Sequence, residues 1–111
     1  MQTTVALATD LIVGFSSFGP TRDDDAQGAG EIYALYVDPD RWSAGVGRRL
    51  LADSRRRLAD SGYAEGVLWV LRGNEAAERF YLADGWQRDG AARMEDPYGP
   101  RVEVRRFRRR L

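Results

Sequence analysis

The sequence predicts a mixed α/β fold of the α+β kind: a mixed, mostly antiparallel sheet with a central parallel strand pair and two flanking helices. Three features lead there. Alternating, β-branched stretches near both ends suggest antiparallel pairs, and two near-continuous apolar runs suggest strands buried on both faces. Between those two runs lies a segment of helical period.

Thr3 to Ala8 alternates, and Leu11 to Phe18 (LIVGFSSF) is a second β-rich run behind a turn-like Ala8-Thr9-Asp10. They read as an antiparallel pair, with Pro20 stopping the second strand. The polar loop TRDDDAQGAG follows, and its three consecutive aspartates are expected to be solvated. Glu31 to Val37 (EIYALYV) is apolar on both faces after its first residue, the pattern of a central strand, and Pro39 ends it. From Val46 the spacing of Val46, Leu50, Leu51 and Leu58 is helical. Arg48, Arg49, Arg55, Arg56 and Arg57 cover the outer surface, and Gly62 supplies the stop. Gly66 to Leu71 (GVLWVL) is the second apolar run, with Trp69 expected in the core. Strand, helix and strand of this length imply neighbouring parallel strands with a right-handed crossover. Asn74 can cap a short helix to Ala83, with Glu75 and Glu78 at its positive end and Gly85 after its last turn. WQRDG and RVEVRRF then close the sheet as a strand pair around the turn-rich DPYGP, ending in a frayed arginine tail.

At 111 residues and 43% hydrophobic content, the chain suits one domain, residues 1–111. Seventeen basic and 17 acidic side chains cancel, so neither a nucleic-acid footprint nor a membrane-surface stripe is expected. The basic residues are all arginine. With no cysteine and no histidine there is no disulfide frame, no thiolate and no triad base, and the usual zinc ligands are missing, so no metal site is expected. No apolar run nears the roughly 18 residues of a membrane span and no leader pattern opens the chain, which points to a cytoplasmic protein without a membrane partner.

Gly45 and Gly47 fall at the start of the first helix, where the leading backbone N–H groups lack intrahelical partners and the helix dipole is positive. Without β-carbons, an anion can approach the backbone there, and phosphate is the natural guest. Arg41, Arg48 and Arg49 flank the loop and could add charge-assisted contacts. The same glycines could instead merely ease a strand-to-helix turn. A Walker loop needs a lysine that this chain lacks, and the dinucleotide fingerprint needs a third glycine where Leu50 stands.

The stretches EIYALYVDPDRWSAGVGRRLL and GVLWVLRGNEAAERFYLADGWQ resemble the core of the GCN5-related N-acetyltransferases, the GNAT superfamily. That family carries an (R/Q)-x-x-G-x-(G/A) loop and a later N-x-x-A-x-x-x-Y-x-x-x-G-(F/W) helix, and the likeness covers Ile12 to Gln87. The resemblance implies acetyl-CoA as cosubstrate, its pyrophosphate on the loop Trp42, Ser43, Ala44, Gly45, Val46 and Gly47, with Arg48 beside it. It implies the pantetheine arm alongside Leu35, Tyr36 and Val37, with the Val37 N–H polarising the thioester carbonyl. Asn74 matches the asparagine that hydrogen-bonds the arm, Tyr81 the tyrosine that protonates the departing thiolate, and Glu31 the glutamate that helps deprotonate the amine, often through water. Each has a plain alternative: Asn74 as helix cap, Tyr81 as packing beside Phe80, Glu31 as a strand-edge carboxylate facing water. Trp86 matches the family's packing aromatic, and Tyr33, Tyr36 and Trp42 are placed to line the cleft.

Two departures qualify the resemblance. Trp42 stands where arginine or glutamine is usual, so one side-chain contact to phosphate is either missing or supplied by Arg41. The family also has a strand and two helices ahead of the first hairpin, which help to form the acceptor pocket, so this chain matches its cofactor-binding half. The primary reading is therefore an N-acetyltransferase moving an acetyl group to a primary amine by direct attack, and the alternative is a CoA-binding, catalytically inert dimeric module. A homodimer is expected from the exposed edge and apolar surface.

Overall fold

A computed structural model describes residues 1–96 and 99–111. The chain forms two compact units, residues 1–66 with Leu111 and residues 67–110.

The first unit is an antiparallel meander of β1 (Gln2–Ala8), β2 (Leu11–Pro20) and β3 (Gly30–Val37), followed by a 3-10 turn (Pro39–Ala44) and helix α1 (Val46–Asp60). α1 lies on the sheet through Leu50, Leu51 and Leu58, which are 3%, 0% and 1% exposed. Burying each such side chain is worth about 1.5–3 kcal/mol, so this face anchors the helix. The approach is close because glycines lie beneath it: a Cβ on Gly14 would sit 3.1 Å from a Leu50 methyl, and one on Gly30 would sit 2.8 Å from a Leu58 methyl. Ser54, inside the apolar stripe, is fully buried; its hydroxyl lies 2.7 Å from that of Ser16 and donates to the Leu50 carbonyl at 2.9 Å. Two hydroxyls can thus be buried without an orphan. Gly62, at φ 100°, ends the helix as expected.

Several expectations change in this unit. β2 continues to Pro20, which pairs opposite Gly30 at the end of the ladder, where a missing N–H costs least. The aspartate loop contains a 3-10 turn (Asp24–Ala26), and while Asp24 and Asp25 are exposed, Asp23 is buried. β3 is buried on both faces only at Gly30, Glu31 and Ile32. Beyond them Ala34 and Tyr36 are exposed, because α1 covers only one side of the meander.

The second unit contains β4 (Glu65–Leu71) from Val67 on, helix α2 (Glu75–Ala83), β5 (Gln87–Glu95) and β6 (Val102–Arg110), with β6 between β4 and β5. Val67, Leu68, Trp86 and Phe107 are buried. Trp69 is only half-buried: Arg93 lies 4.1 Å and Arg106 5.7 Å from its ring centre, so its partners are guanidinium groups rather than aliphatic core. The β5–β6 register breaks between Arg88 and Ala92. In that bulge, Asp89 accepts from Arg106 Nε at 2.7 Å and Arg108 Nε at 3.1 Å. β5 extends well past the expected WQRDG, and Trp86 precedes it. The expected frayed tail is strand to Arg110, and the Leu111 N–H donates to the Ala64 carbonyl at 2.9 Å. Pro97 and Tyr98, within the expected DPYGP turn, lie outside the described residues. Among the described residues, no helix is long and apolar enough to cross a membrane.

Candidate functional site

In the first unit, the chain passes from β3 into α1 through a turn that separates the roles of its glycines. Gly45 adopts φ 79° and ψ 10°, a left-handed conformation costing other residues about 1–2 kcal/mol. A β-carbon there would meet nothing within 4 Å, so the requirement is conformational and not steric. Gly47 is an ordinary helical residue in the first turn, and no turn geometry asks for it. No side chain caps this helix start, and the backbone ladder begins with Arg49 N donating to the Gly45 carbonyl at 3.1 Å. The amides of Val46, Gly47 and Arg48 therefore precede the ladder with the positive end of the dipole behind them.

Trp42 is 71% exposed, and its indole Nε1 donates to the Val37 carbonyl at 2.8 Å. An indole has one donor, so Trp42 braces the turn against the end of β3 and has none left for an oxyanion. The Asp38 carboxylate, accepting from Asp40 N at 2.9 Å, caps the same turn. Ala44 and Arg48 are exposed and Val46 is half-buried; the Ser43 side chain lies outside what is described. Arg41 and Arg49 line a groove beside β1.

Along β3, Leu35 and Val37 are half-buried and Tyr36 is exposed, stacked on Phe15 at 5.8 Å between ring centres. Val37 pairs opposite Gly14. The register slips at Tyr33, whose hydroxyl donates to the Pro20 carbonyl and whose ring lies 4.5 Å beneath the Arg22 guanidinium. Burial and the nearby Glu31 charge raise the Tyr33 phenol, with Arg22 pulling the other way.

Glu31 does not face water: it is 2% exposed. Its Oε1 accepts from Thr21 Oγ1 at 2.9 Å and Arg22 N at 3.1 Å, and its Oε2 accepts from the Arg22 guanidinium at 3.3 Å. The carboxylate thus ties β3 to the chain leaving β2. A carboxylate has about four acceptor sites, so one remains on Oε2.

In the second unit, Asn74 caps α2, its Oδ1 accepting from Ala77 N at 3.1 Å. That uses the oxygen and leaves the amide nitrogen as a donor. About two turns on, Tyr81 stands edge-on to Phe80 at 5.2 Å and to Trp86 at 6.5 Å between ring centres. Burial raises its phenol above the usual value, which keeps the hydroxyl protonated. Trp86 is fully buried, its indole donating to Asp84 at 3.0 Å.

Sequence reasoning missed Thr21 and Arg22 as the holders of Glu31. Pro20 opposite Gly30 brings them beside it, and only the strand register reveals that.

The profile of the Acetyltransferase (GNAT) family matches residues 2–86. An uncharacterized N-acetyltransferase of Bacillus subtilis (strain 168), YuaI, is 38% identical over 57% of this chain and 36% of its own length. The mycothiol acetyltransferase of Cellulomonas flavigena is 36% identical over 74% of this chain and 23% of its own length. The chain thus spans about a third or less of these curated relatives. Among solved structures, the ribosomal-protein-alanine N-acetyltransferase of Brucella melitensis superposes with a TM-score of 0.84 at 20% identity, covering 98% of this chain and 68% of that one. The yncA protein of Salmonella typhimurium, solved with acetyl-CoA, gives 0.82 at 21% identity over 98% and 64%. These likenesses establish the expected fold class, a mostly antiparallel sheet with one parallel pair and two helices. With the glycine loop before α1 and the asparagine–tyrosine helix α2 both inside the matched span, the chain belongs to the GNAT family of acetyltransferases.

Proposed function

We propose that residues 1–111 act as one acetyltransferase domain that moves an acetyl group from acetyl-CoA to a primary amine by direct attack. The observation that carries this reading is the bare first turn of α1, where Gly47 stands although no backbone strain demands it. Glycine inside a helix costs about 0.8–1.0 kcal/mol relative to alanine, so its presence fits a ligand that needs the backbone uncovered. The donors that would hold the pyrophosphate are the Val46, Gly47 and Arg48 amides and the Arg48 guanidinium. Ser43 and Ala44 belong to the same loop, and Trp42 serves as its brace. Leu35, Tyr36 and Val37 would flank the pantetheine arm, and the Asn74 amide nitrogen would donate to it. YncA's acetyl-CoA supports the choice of cosubstrate.

Acetyl-CoA supplies the acyl group as an activated thioester. The Tyr81 hydroxyl, protonated and without a hydrogen-bond partner among the described residues, can give its proton to the sulfur as it departs. Glu31 can take the proton of the incoming ammonium through one water on the free acceptor site of Oε2. The Val37 N–H would face the developing oxyanion. Positioning contributes most, and acid–base help is on the order of 10²- to 10⁴-fold.

The active form in this proposal is a homodimer. The meander turns Val5 and Tyr36, 48% and 51% exposed, to the side away from α1, and Leu7, Leu11 and Ile12 add 61%, 61% and 59% exposed apolar surface. A second reading, a coenzyme-binding dimer without transfer, draws support from the three donors that already occupy Glu31. Calorimetric titration with acetyl-CoA followed by thiol-release assays across a panel of amines tests both. Binding with transfer supports the enzyme, binding without transfer supports the inert dimer, and no binding rules out both.

A further inference from the structure

Glu31 is gripped by two consecutive residues of the chain that leaves β2, and the grip differs between its two oxygens. Oε1 accepts from the Thr21 hydroxyl at 2.9 Å and from the Arg22 N–H at 3.1 Å, which uses both of its lone pairs. Thr21 is itself fixed: its N–H donates to the Ala29 carbonyl at 3.0 Å, and its hydroxyl accepts from Asp23 N at 3.2 Å. Oε2 has one donor, the Arg22 guanidinium at 3.3 Å. The lone pair left for chemistry on Oε2 therefore points where that guanidinium leaves it.

Glu31 does not hold the guanidinium alone. The Arg22 side chain is 67% exposed, and a long side chain in that position ordinarily keeps much of its rotamer freedom. Here its guanidinium lies 4.5 Å from the centre of the Tyr33 ring, a cation–π contact that restricts it. Tyr33 is the unpaired residue at the β2–β3 register slip, since Ile32 pairs with Phe18 and Ala34 with Ser17. A bulge re-aims a side chain, and this one is fixed at its far end by the hydroxyl bond to the Pro20 carbonyl. We propose that Arg22 and Tyr33 are positioning residues for Glu31: the Tyr33 ring holds the Arg22 guanidinium, and the guanidinium fixes Oε2 so that its remaining lone pair takes the proton of the incoming amine through water. This inference rests on the proposed transfer reaction and on Glu31 as its base.

The test follows transfer from acetyl-CoA to an alkylamine by the full chain. At about pH 7 such an amine is almost wholly protonated and needs a base, whereas at about pH 9.5 a sizeable share is already free. Arg22→Met keeps the backbone donor and removes only the guanidinium. Its kcat should fall about 10- to 100-fold at the lower pH and recover most of that loss at the higher. Glu31→Gln should show the same dependence on pH, and adding Arg22→Met to it should cause no further loss. Tyr33→Leu should match Arg22→Met, and Tyr33→Phe, which keeps the ring, should restore most of the rate that Tyr33→Leu loses. Thermal unfolding checks that each variant is folded at the assay temperature. A deficit of Arg22→Met that is equal at both pH values would mark a structural role and overturn the proposal. So would a fully active Arg22→Met beside a slow Glu31→Gln, or a Tyr33→Phe protein as slow as Tyr33→Leu. A fully active Glu31→Gln, or no transfer by the unaltered chain, would overturn the reading of Glu31 as base and the proposal with it.

Discussion

Gly45 and Gly47 stand two residues apart and should respond to alanine in opposite ways. At Gly45 the backbone is left-handed and the space beyond it is open, so Gly45→Ala loses stability by conformational strain alone, about 1–2 kcal/mol. At Gly47 the backbone is helical, so Gly47→Ala should gain up to about 1 kcal/mol from propensity. At this chain length each kcal/mol moves the midpoint of thermal unfolding by about 4 °C, so the ligand-free variants should shift apart by about 4–12 °C. Coenzyme binding should respond differently. A methyl group on the first turn pushes a phosphate off at least one amide, and a hydrogen bond to a charged group is worth about 1.5–3 kcal/mol, which predicts roughly 10- to 150-fold weaker CoA binding by Gly47→Ala. Thermal unfolding without ligand and calorimetry with CoA measure the two quantities. A Gly47→Ala protein that is more stable and binds CoA as tightly as before would refute the anion cradle.

Other substitutions test the remaining roles. Tyr81→Phe should lower turnover by about 10²- to 10⁴-fold with little change in CoA affinity. Because burial raises the Tyr81 phenol above its usual value near 10, the Tyr81 donor should stay protonated and cause no fall in turnover below about pH 10; an alkaline limb at pH 8–9 that disappears in Tyr81→Phe would contradict this. Glu31→Gln should cost about 1–3 kcal/mol of stability in denaturant titration, since a buried acceptor of three hydrogen bonds is weakened; an unchanged midpoint would show that the hold on Thr21 and Arg22 is unimportant. Asp89 is partly buried, which opposes ionisation, but the Ala91 N–H and the Arg106 and Arg108 guanidinium groups prevail and lower its carboxyl. A lowered folded value means stability that is present above the unfolded value, near 4, and is lost as pH falls through the folded one. Asp89→Asn should therefore lose about 2–4 kcal/mol at neutral pH, because it removes the carboxylate charge that faces the buried Arg106, and should show a flatter acid limb in pH-dependent unfolding.

Much of the local architecture was legible because local rules decide it. Leu50, Leu51 and Leu58 announce the buried face of α1, Gly62 its end and Asn74 the cap of α2, since each depends on residues within about one or two turns. Gly45 was readable as part of a candidate anion cradle for the same reason, whereas the proposed roles of Asn74 and Tyr81 came from family resemblance. What escaped depends on register and on neighbours far along the chain. The order of residues could not reveal that Pro20 aligns with Gly30 and so delivers Thr21 and Arg22 to Glu31, nor that Trp42 uses its donor on Val37. Nor could it show Trp69 between two arginines, or a last strand that continues to Arg110. A helix is closed by hydrogen bonds between neighbours in sequence, so its period and caps are written in a short window. A sheet is closed between residues tens of positions apart, and only the tertiary structure decides which side chains the register brings together.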